Sequence, residues 1–299
     1  MDFLQVLFPV SGIKTYLFIP PVVAFIISFF TSMAGISGAF LLLPFQISVL
    51  GFTTTSVTST NFLFNVTGTP GGVYRYIKEC RFAWPLALII VTGIIPGVLI
   101  GYNIRIRLLP DPKSFKFFVG IVLLFVSLKL IRDAWNKGTD RKLNYCSFKE
   151  RLDNVSLSLK KAGFKFGNIT YTFSTSGILG LSSVVGVVGG VYGIGGGSII
   201  APFLITFFNL PVYTIAGAVL LGTFTSSVAG VAFYSLIPIN GTVSPPDWIL
   251  GLLFGAGGLL GMYFGAKTQK YIPEKWIKIV LGVILFTIAS RYIWRFFIG

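Results

Sequence analysis

The sequence predicts an all-α polytopic membrane protein, built as two pseudo-symmetric repeats of four hydrophobic elements each. Three observations predict it. Hydrophobic residues make up 54% of the 299 residues and charged residues 11%, whereas a soluble domain carries about 25% charged residues. Apolar runs of about 18 residues or more, long enough to span a bilayer, recur between short basic loops. The pattern of the first half also returns in the second.

Element 1 covers 16–50 and is interrupted near Gly35. Elements 2, 3 and 4 cover 55–76, 83–104 and 114–135. Element 5 covers 175–209, interrupted near Gly193–Gly197, and elements 6, 7 and 8 cover 212–238, 247–267 and 275–297. Elements 1 and 5 are too long for one span: some 35 residues reach about 50 Å, against a hydrocarbon core of about 30 Å. Each is therefore expected to be a broken helix or a re-entrant pair of half-helices, because irregular backbone at that depth must be buried in protein or line a watery cavity.

The duplication can be followed residue by residue. Gly35, Ile36, Gly38, Pro44 and Phe45 match Gly193, Ile194, Gly196, Pro202 and Phe203 at an offset of 158. Gly120 matches Gly282 at 162, with Lys116 on Lys278 and Lys129 on Arg291. The domains follow as 1–135 and 174–299 for the membrane repeats, with 136–173 between them. That stretch is basic and is placed in the cytoplasm by the positive-inside rule. From Val155 to Phe173 it alternates apolar and polar residues, so it reads as a small β-hairpin turning at Lys160–Gly163. An amphipathic helix over 147–162 is the alternative. If elements 1 and 5 enter and return, the repeats are inverted, and Arg75, Lys78, Arg81, the central loop and the 267–278 cluster share one side. If each crosses once, the repeats are parallel. The inverted arrangement gives the more lopsided charge.

The net charge of +15 reads as loop charge that orients the protein, and nucleic acid is not expected as a partner. The chain has no His and only two Cys, Cys80 and Cys146, which excludes a His-ligated metal, a His-based triad and a disulfide framework. No cofactor, metal or enzymatic activity is expected. The N-terminal stretch has no charged n-region or A-x-A-like site, so no cleaved signal peptide is expected. It reads as the approach to the first membrane element. The partners are the bilayer and a small anion, and a homo-oligomer is compatible with the sequence.

Two constellations can carry the chemistry. The glycine breaks come first: Gly35, Ser37 and Gly38 in one half, and Gly193, Gly195, Gly196, Gly197 and Ser198 in the other. A half-helix that starts at such a break presents unpaired N–H groups and partial positive charge to an anion. Interrupted segments in corresponding positions are the sequence pointer to a transporter's site. Otherwise the glycines serve close helix packing. The second constellation is polar. Asn61 and Asn65 share a helix face and correspond, at 162, to Thr223 and Ser227, with Ser226 beside the latter. These side chains either bind an oxyanion as neutral donors or join helices. Gln46 is a weaker candidate, and Thr53 to Ser56 read as a helix cap. Arg75, Lys78 and Arg81 form either an electropositive vestibule or orienting charge. All nine acids fall in loops or at element ends, which disfavours a cation carrier or an aspartyl intramembrane protease and favours an anionic or neutral substrate.

The run GIGGGSIIAPFLITFFNLP, followed by TIAGAVLLGTFTSSVAG, resembles the signature of the sulfite exporter TauE/SafE family, also called the toluene sulfonate uptake permease family. The residues are Gly193 to Gly197, Pro202 and Pro211, with a degenerate copy at Gly35–Pro44. The resemblance covers nearly the whole chain outside 136–173. It implies a multi-pass inner-membrane carrier of sulfur-containing anions such as sulfite, sulfonates or sulfoacetate. Ser37 and Ala39 stand where the second copy has Gly195 and Gly197, so the half-sites are not equivalent. The competing readings are a passive anion channel and a membrane sensor that uses the 136–173 loop.

Overall fold

A computed structural model describes residues 5–33, 37–78, 82–135, 152–157, 161–166, 169–208, 210, 212–239, 241–268 and 274–298. Among these it is mostly helical. The N-terminus forms a hairpin of β1 (Gln5–Leu7) and β2 (Lys14–Tyr16), paired with Val6 opposite Thr15. The helices α1 (Ile19–Met33), α2 (Ala39–Ser48), α3 (Ser56–Gly68), α4 (Pro70–Lys78), α5 (Trp84–Arg107) and α6 (Pro112–Trp135) follow. Strands β3 (Leu152–Leu157), β4 (Lys161–Phe166) and β5 (Ile169–Ser174) form an antiparallel sheet in sequence order. Then come α7 (Thr175–Tyr192), α8 (Gly197–Phe207), α9 (Val212–Leu236), α10 (Trp248–Thr268) and α11 (Glu274–Ile298). Among the described residues six helices are long and apolar enough to cross a membrane: α5, α6, α7, α9, α10 and α11, the spans being Trp84–Arg107, Pro112–Arg132, Thr175–Tyr192, Gly217–Leu236, Trp248–Gly265 and Lys275–Ile298. Helices α1 and α2 are shorter and apolar.

Local chemistry sets the boundaries. Pro20 and Pro21 open α1, where their missing N–H groups cost nothing. Pro112 opens α6 behind Asp111, whose Oδ2 accepts from the Ser114 N–H at 2.9 Å. Ser174 caps α7 by accepting from the Gly177 N–H at 3.3 Å, so β5 runs straight into the helix. Asp247 caps α10: its Oδ1 accepts from Leu250 N and its Oδ2 accepts from both Ser11 N and Ser11 Oγ. The N-terminal hairpin is thereby tied over the start of α10.

Three sequence expectations change. The N-terminal approach segment is a hairpin. Element 2, expected as one helix over 55–76, is interrupted at Thr69, because Pro70 has no N–H to donate back into the preceding turn, although Thr69 itself keeps helical backbone. The central segment is three-stranded, and Lys161 to Gly163 belong to β4, with Leu157 opposite Ala162, rather than to the turn. A lone hairpin is marginally stable; β5 supplies the third strand, pairing Phe164 with Tyr171. The alternative helix over 147–162 gives way to strand at 152–157, and its remaining residues before 161 lie outside the described ones.

Glycines fix the packing of the long helices. A Cβ added to Gly93, Gly97 or Gly101 of α5 would fall within 3 Å of the carbonyl oxygens of Leu179, Ser183 and Val187 of α7, in that order. The same holds for Gly257, Gly261 and Gly265 of α10 against the carbonyls of Pro21, Phe25 and Phe29 of α1. Both pairs therefore run parallel. Helices α6 and α11 run antiparallel, with Gly120 against Tyr292 and Gly282 against Ile131. These directions sort the helix ends. The N-terminal hairpin, the starts of α1, α3, α6 and α10, and the ends of α5, α9 and α11 gather at one end, tied by Ser11–Asp247, by Thr55 Oγ1 to Ser244 Oγ at 2.6 Å and by Tyr102 Oη donating to the Ile237 carbonyl at 2.5 Å. The three-stranded sheet meets α5 and α7 at the other end, where α5, α7 and α11 begin.

Candidate functional site at the two helix breaks

The second break is built by backbone. α7 ends on Gly193, whose φ of +84° is the left-handed helix terminator that glycine accepts freely, and Gly195 has φ +79°. α8 restarts at Gly197 behind Gly196. A Cβ on Gly193 would strike the Thr58 carbonyl of α3, one on Gly195 would lie 2.9 Å from Ser227 Oγ, and one on Gly197 would strike the Val219 carbonyl and Thr223 of α9. Gly196 differs: the atoms nearest to its Cβ all belong to the Ile94 side chain, from 3.2 Å. In the first break Gly35 lies outside the described residues. Ser37 Oγ accepts from Ala39 N at 3.2 Å and donates to Asn65 Oδ1 at 3.0 Å. Gly38 caps α2 with φ −58°.

The polar face of α3 brings the two breaks together. Asn61 Nδ2 donates to the Ala39 carbonyl at 3.2 Å and to the Gly193 carbonyl at 3.1 Å. Asn65 Nδ2 donates to the Ile194 carbonyl at 2.6 Å, and Tyr192 Oη donates to the Phe40 carbonyl at 2.9 Å. Both asparagines are fully buried. At Gly193 and Ile194 their amide hydrogens satisfy carbonyls that the second break leaves free, which buried backbone requires, and at Ala39 Asn61 adds a second donor to the first turn of α2. On α9, Thr223 Oγ1 donates to the Val219 carbonyl and lies 3.3 Å from Ser198 Oγ, and Ser226 Oγ donates to the Thr223 carbonyl at 3.0 Å. Ser227 Oγ is buried without a partner.

Sequence reasoning underrated Gln46 and missed Ser28, Thr58 and Arg105. Gln46 is fully buried: its Nε2 donates to Asn61 Oδ1 at 3.3 Å, and its Oε1 is unpartnered. Ser28 Oγ, also unpartnered, is the nearest atom to a Cβ on Gly38, at 2.8 Å. Arg105 is fully buried beside Thr58. One signal for it was available: Arg105 and Arg107 are two residues apart, so they leave a helix on nearly opposite sides and only one can face outward. Of the proposed vestibule, Arg75 and Lys78 fall on α4, and Arg81 lies outside the described residues. Among the described residues no group of His, Cys, Asp and Glu is placed to hold a metal ion.

The family model described as sulfite exporter TauE/SafE matches residues 21–292. A probable membrane transporter protein, YunE, of Bacillus subtilis (strain 168) is 27% identical over 220 residues, 74% of this chain and 74% of the relative. YdhB of the same organism, also a probable membrane transporter protein, is 29% identical over 120 residues, 38% of this chain and 44% of its own length. A probable membrane transporter protein of Xylella fastidiosa (strain 9a5c) is 28% identical over 114 residues, 38% of this chain and 41% of its own. No solved structure matches. With a family match over nearly its whole length, six helices able to span a membrane and relatives named as transporters, the chain belongs to the sulfite exporter TauE/SafE family of membrane transporters.

Proposed function

We propose that this protein is a secondary transporter of small sulfur-containing oxyanions, such as sulfite, a sulfonate or sulfoacetate, working by alternating access. The observation that carries the reading is the meeting of two interrupted helices on Asn61, where half-helix starts and breaks converge in the buried interior. Helix N-termini receive anions, and interrupted helices at a repeat interface form transporter sites. In this reading the anion binds between the breaks at Gly35, Ser37, Gly38 and Gly193, Gly195, Gly196, Gly197, Ser198, with Asn61, Asn65, Thr223, Ser226 and Ser227 around it. The amides now spent on carbonyls exchange partners as the site opens.

An inverted duplication supports alternating access. Leu179, Ser183 and Val187 stand 158 positions after Pro21, Phe25 and Phe29, and Gly257, Gly261 and Gly265 stand 164 after Gly93, Gly97 and Gly101. α1 starts at the hairpin end and α7 at the sheet end, so the matched helices run oppositely. The repeats, 1–135 and 174–299, also interlock: the broken helix of each lies along the third element of the other. The moving bodies are then the pairs α1–α10 and α5–α7, each taken from both repeats. In this reading the end that carries β3, β4 and β5 faces the cytoplasm at the inner membrane, as the basic charge of the segment between the repeats favours.

Counterflow in proteoliposomes tests the proposal. Vesicles preloaded with sulfite or sulfoacetate should accumulate the same labelled anion transiently. Equilibration without overshoot would make the protein a channel, and no flux for any sulfur oxyanion would remove the substrate class.

A further inference from the structure

Arg105 lies in the last turn of α5 and has no solvent exposure, while Arg107 is exposed. Its Nε donates to Thr58 Oγ1 at 3.3 Å, its Nη1 donates to the Leu109 carbonyl, and its Cζ stands 3.7 Å from the centre of the Phe115 ring. Its Nη2 is buried without a partner. Among the described residues no carboxylate pairs with it. A helix-end arginine that only anchors the protein extends its head to the interface. This one is sealed inside, where an uncompensated cation is costly and where arginines characteristically mark an ion pathway. The partner that would compensate it is an anion.

Thr58 connects this charge to the second break. Its Oγ1 accepts from Arg105 and donates to the Val191 carbonyl at 3.4 Å, and its own carbonyl fills the space a side chain on Gly193 would need. One threonine therefore separates the guanidinium from the backbone turn at Gly193. We propose that Arg105 is the fixed counter-charge of the transport route. Its free Nη2, with the Nη1 now held by Leu109, forms a two-donor fork for a pair of sulfonyl or sulfite oxygens at the hairpin end of the second break. Planar guanidinium suits paired oxygens, and a charge-assisted bond is about twice as strong as a neutral one. This inference rests on the anion reading above and adds to it the group that supplies the charge.

The test is counterflow of sulfite and of sulfoacetate by reconstituted wild type, Arg105→Gln and Arg105→Lys, with melting temperatures taken without ligand. Arg105→Gln should raise KM about tenfold or more, and Arg105→Lys, which keeps the charge and loses the fork, should fall between. A merely structural role would lower the melting temperature and the maximal rate and leave KM in place. If wild type carries either anion and KM in Arg105→Gln stays within about twofold, the inference fails and the anion reading stands. If Arg105→Gln does not fold, Arg105→Lys decides: an unchanged KM overturns the proposal and a raised one supports it. If wild type carries neither anion, the anion reading fails and takes the inference with it.

Discussion

At the first break the start of α2 is held by side chains: Ser37 caps Ala39 and reaches Asn65, and Gly38 has ordinary helical backbone with Ser28 Oγ and Phe64 as its nearest neighbours. At the second break side chains are removed, and two left-handed glycines lie directly against the carbonyls and hydroxyls of α3 and α9. The polar arms differ in the same sense. Asn61 and Asn65 reach from the first half into the second break, whereas the shorter Thr223 reaches only Ser198 beside it, Ser226 bonds within α9, and Ser227 Oγ is left without a partner. Positions that the proposed duplication would match have thus divided their work. One half supplies the long arms that hold both breaks, and the other supplies the space they enter.

The largest test of this contrast is Gly197→Val. Its side chain would be driven into the Val219 carbonyl and Thr223, and overpacking of this kind costs about 3 kcal/mol; loss of folded protein in detergent melts is expected. Gly196→Val crowds first against the Ile94 side chain rather than backbone, so a smaller fall in melting temperature is expected there. Equal damage from both would break the contrast. Asn61→Ala comes next: it takes the amide donor from the buried Gly193 carbonyl and the acceptor from Gln46 Nε2, at about 1–3 kcal/mol for a buried polar group. Ser227→Ala removes no hydrogen bond, so thermal melts should be nearly unchanged and any transport defect reports on the substrate.

Alanine at the paired glycines separates the breaks further. Gly195→Ala should cost about 1–2 kcal/mol from left-handed backbone alone, with contacts at 2.9 Å in addition, and Gly38→Ala should cost less in the same melts because Ser28 Oγ is a single side-chain atom. The smallest effect concerns pH. The Ser114 N–H bonded to Asp111 holds its carboxyl below the usual range. The charged cap therefore stabilises the start of α6 above the unfolded value of about 3.9 and is lost as pH falls below it. Asp111→Asn should flatten that acid limb of the melting curve.

Much of the fold was legible because it follows from one-dimensional patterns. Length and apolarity located α5, α6, α9, α10 and α11 within a few residues, and the glycine run located the break before Gly197. The split at Thr69 was legible too, in Pro70 and the two glycines after it. The N-terminal hairpin was not, since only three residues per strand pair and its anchor, Asp247, is 236 positions from Ser11. At the site, the sequence pointed to Asn61 and Asn65 but not to what they touch. Arg105 looked like one of many basic residues at helix ends, because burial is a property of the neighbours and Phe115 and Thr58 arrive from other helices.

By itself, then, the sequence determined a helical membrane protein, its two glycine-rich interruptions and the absence of acids from its spans, since each depends on composition or on spacing along one chain. The tertiary structure alone decided which helices interlock, that the asparagine amides hold the two breaks together and that Arg105 faces inward. Those outcomes depend on close approach between residues far apart in sequence, where a missing Cβ or a free carbonyl on one helix has meaning only against its partner.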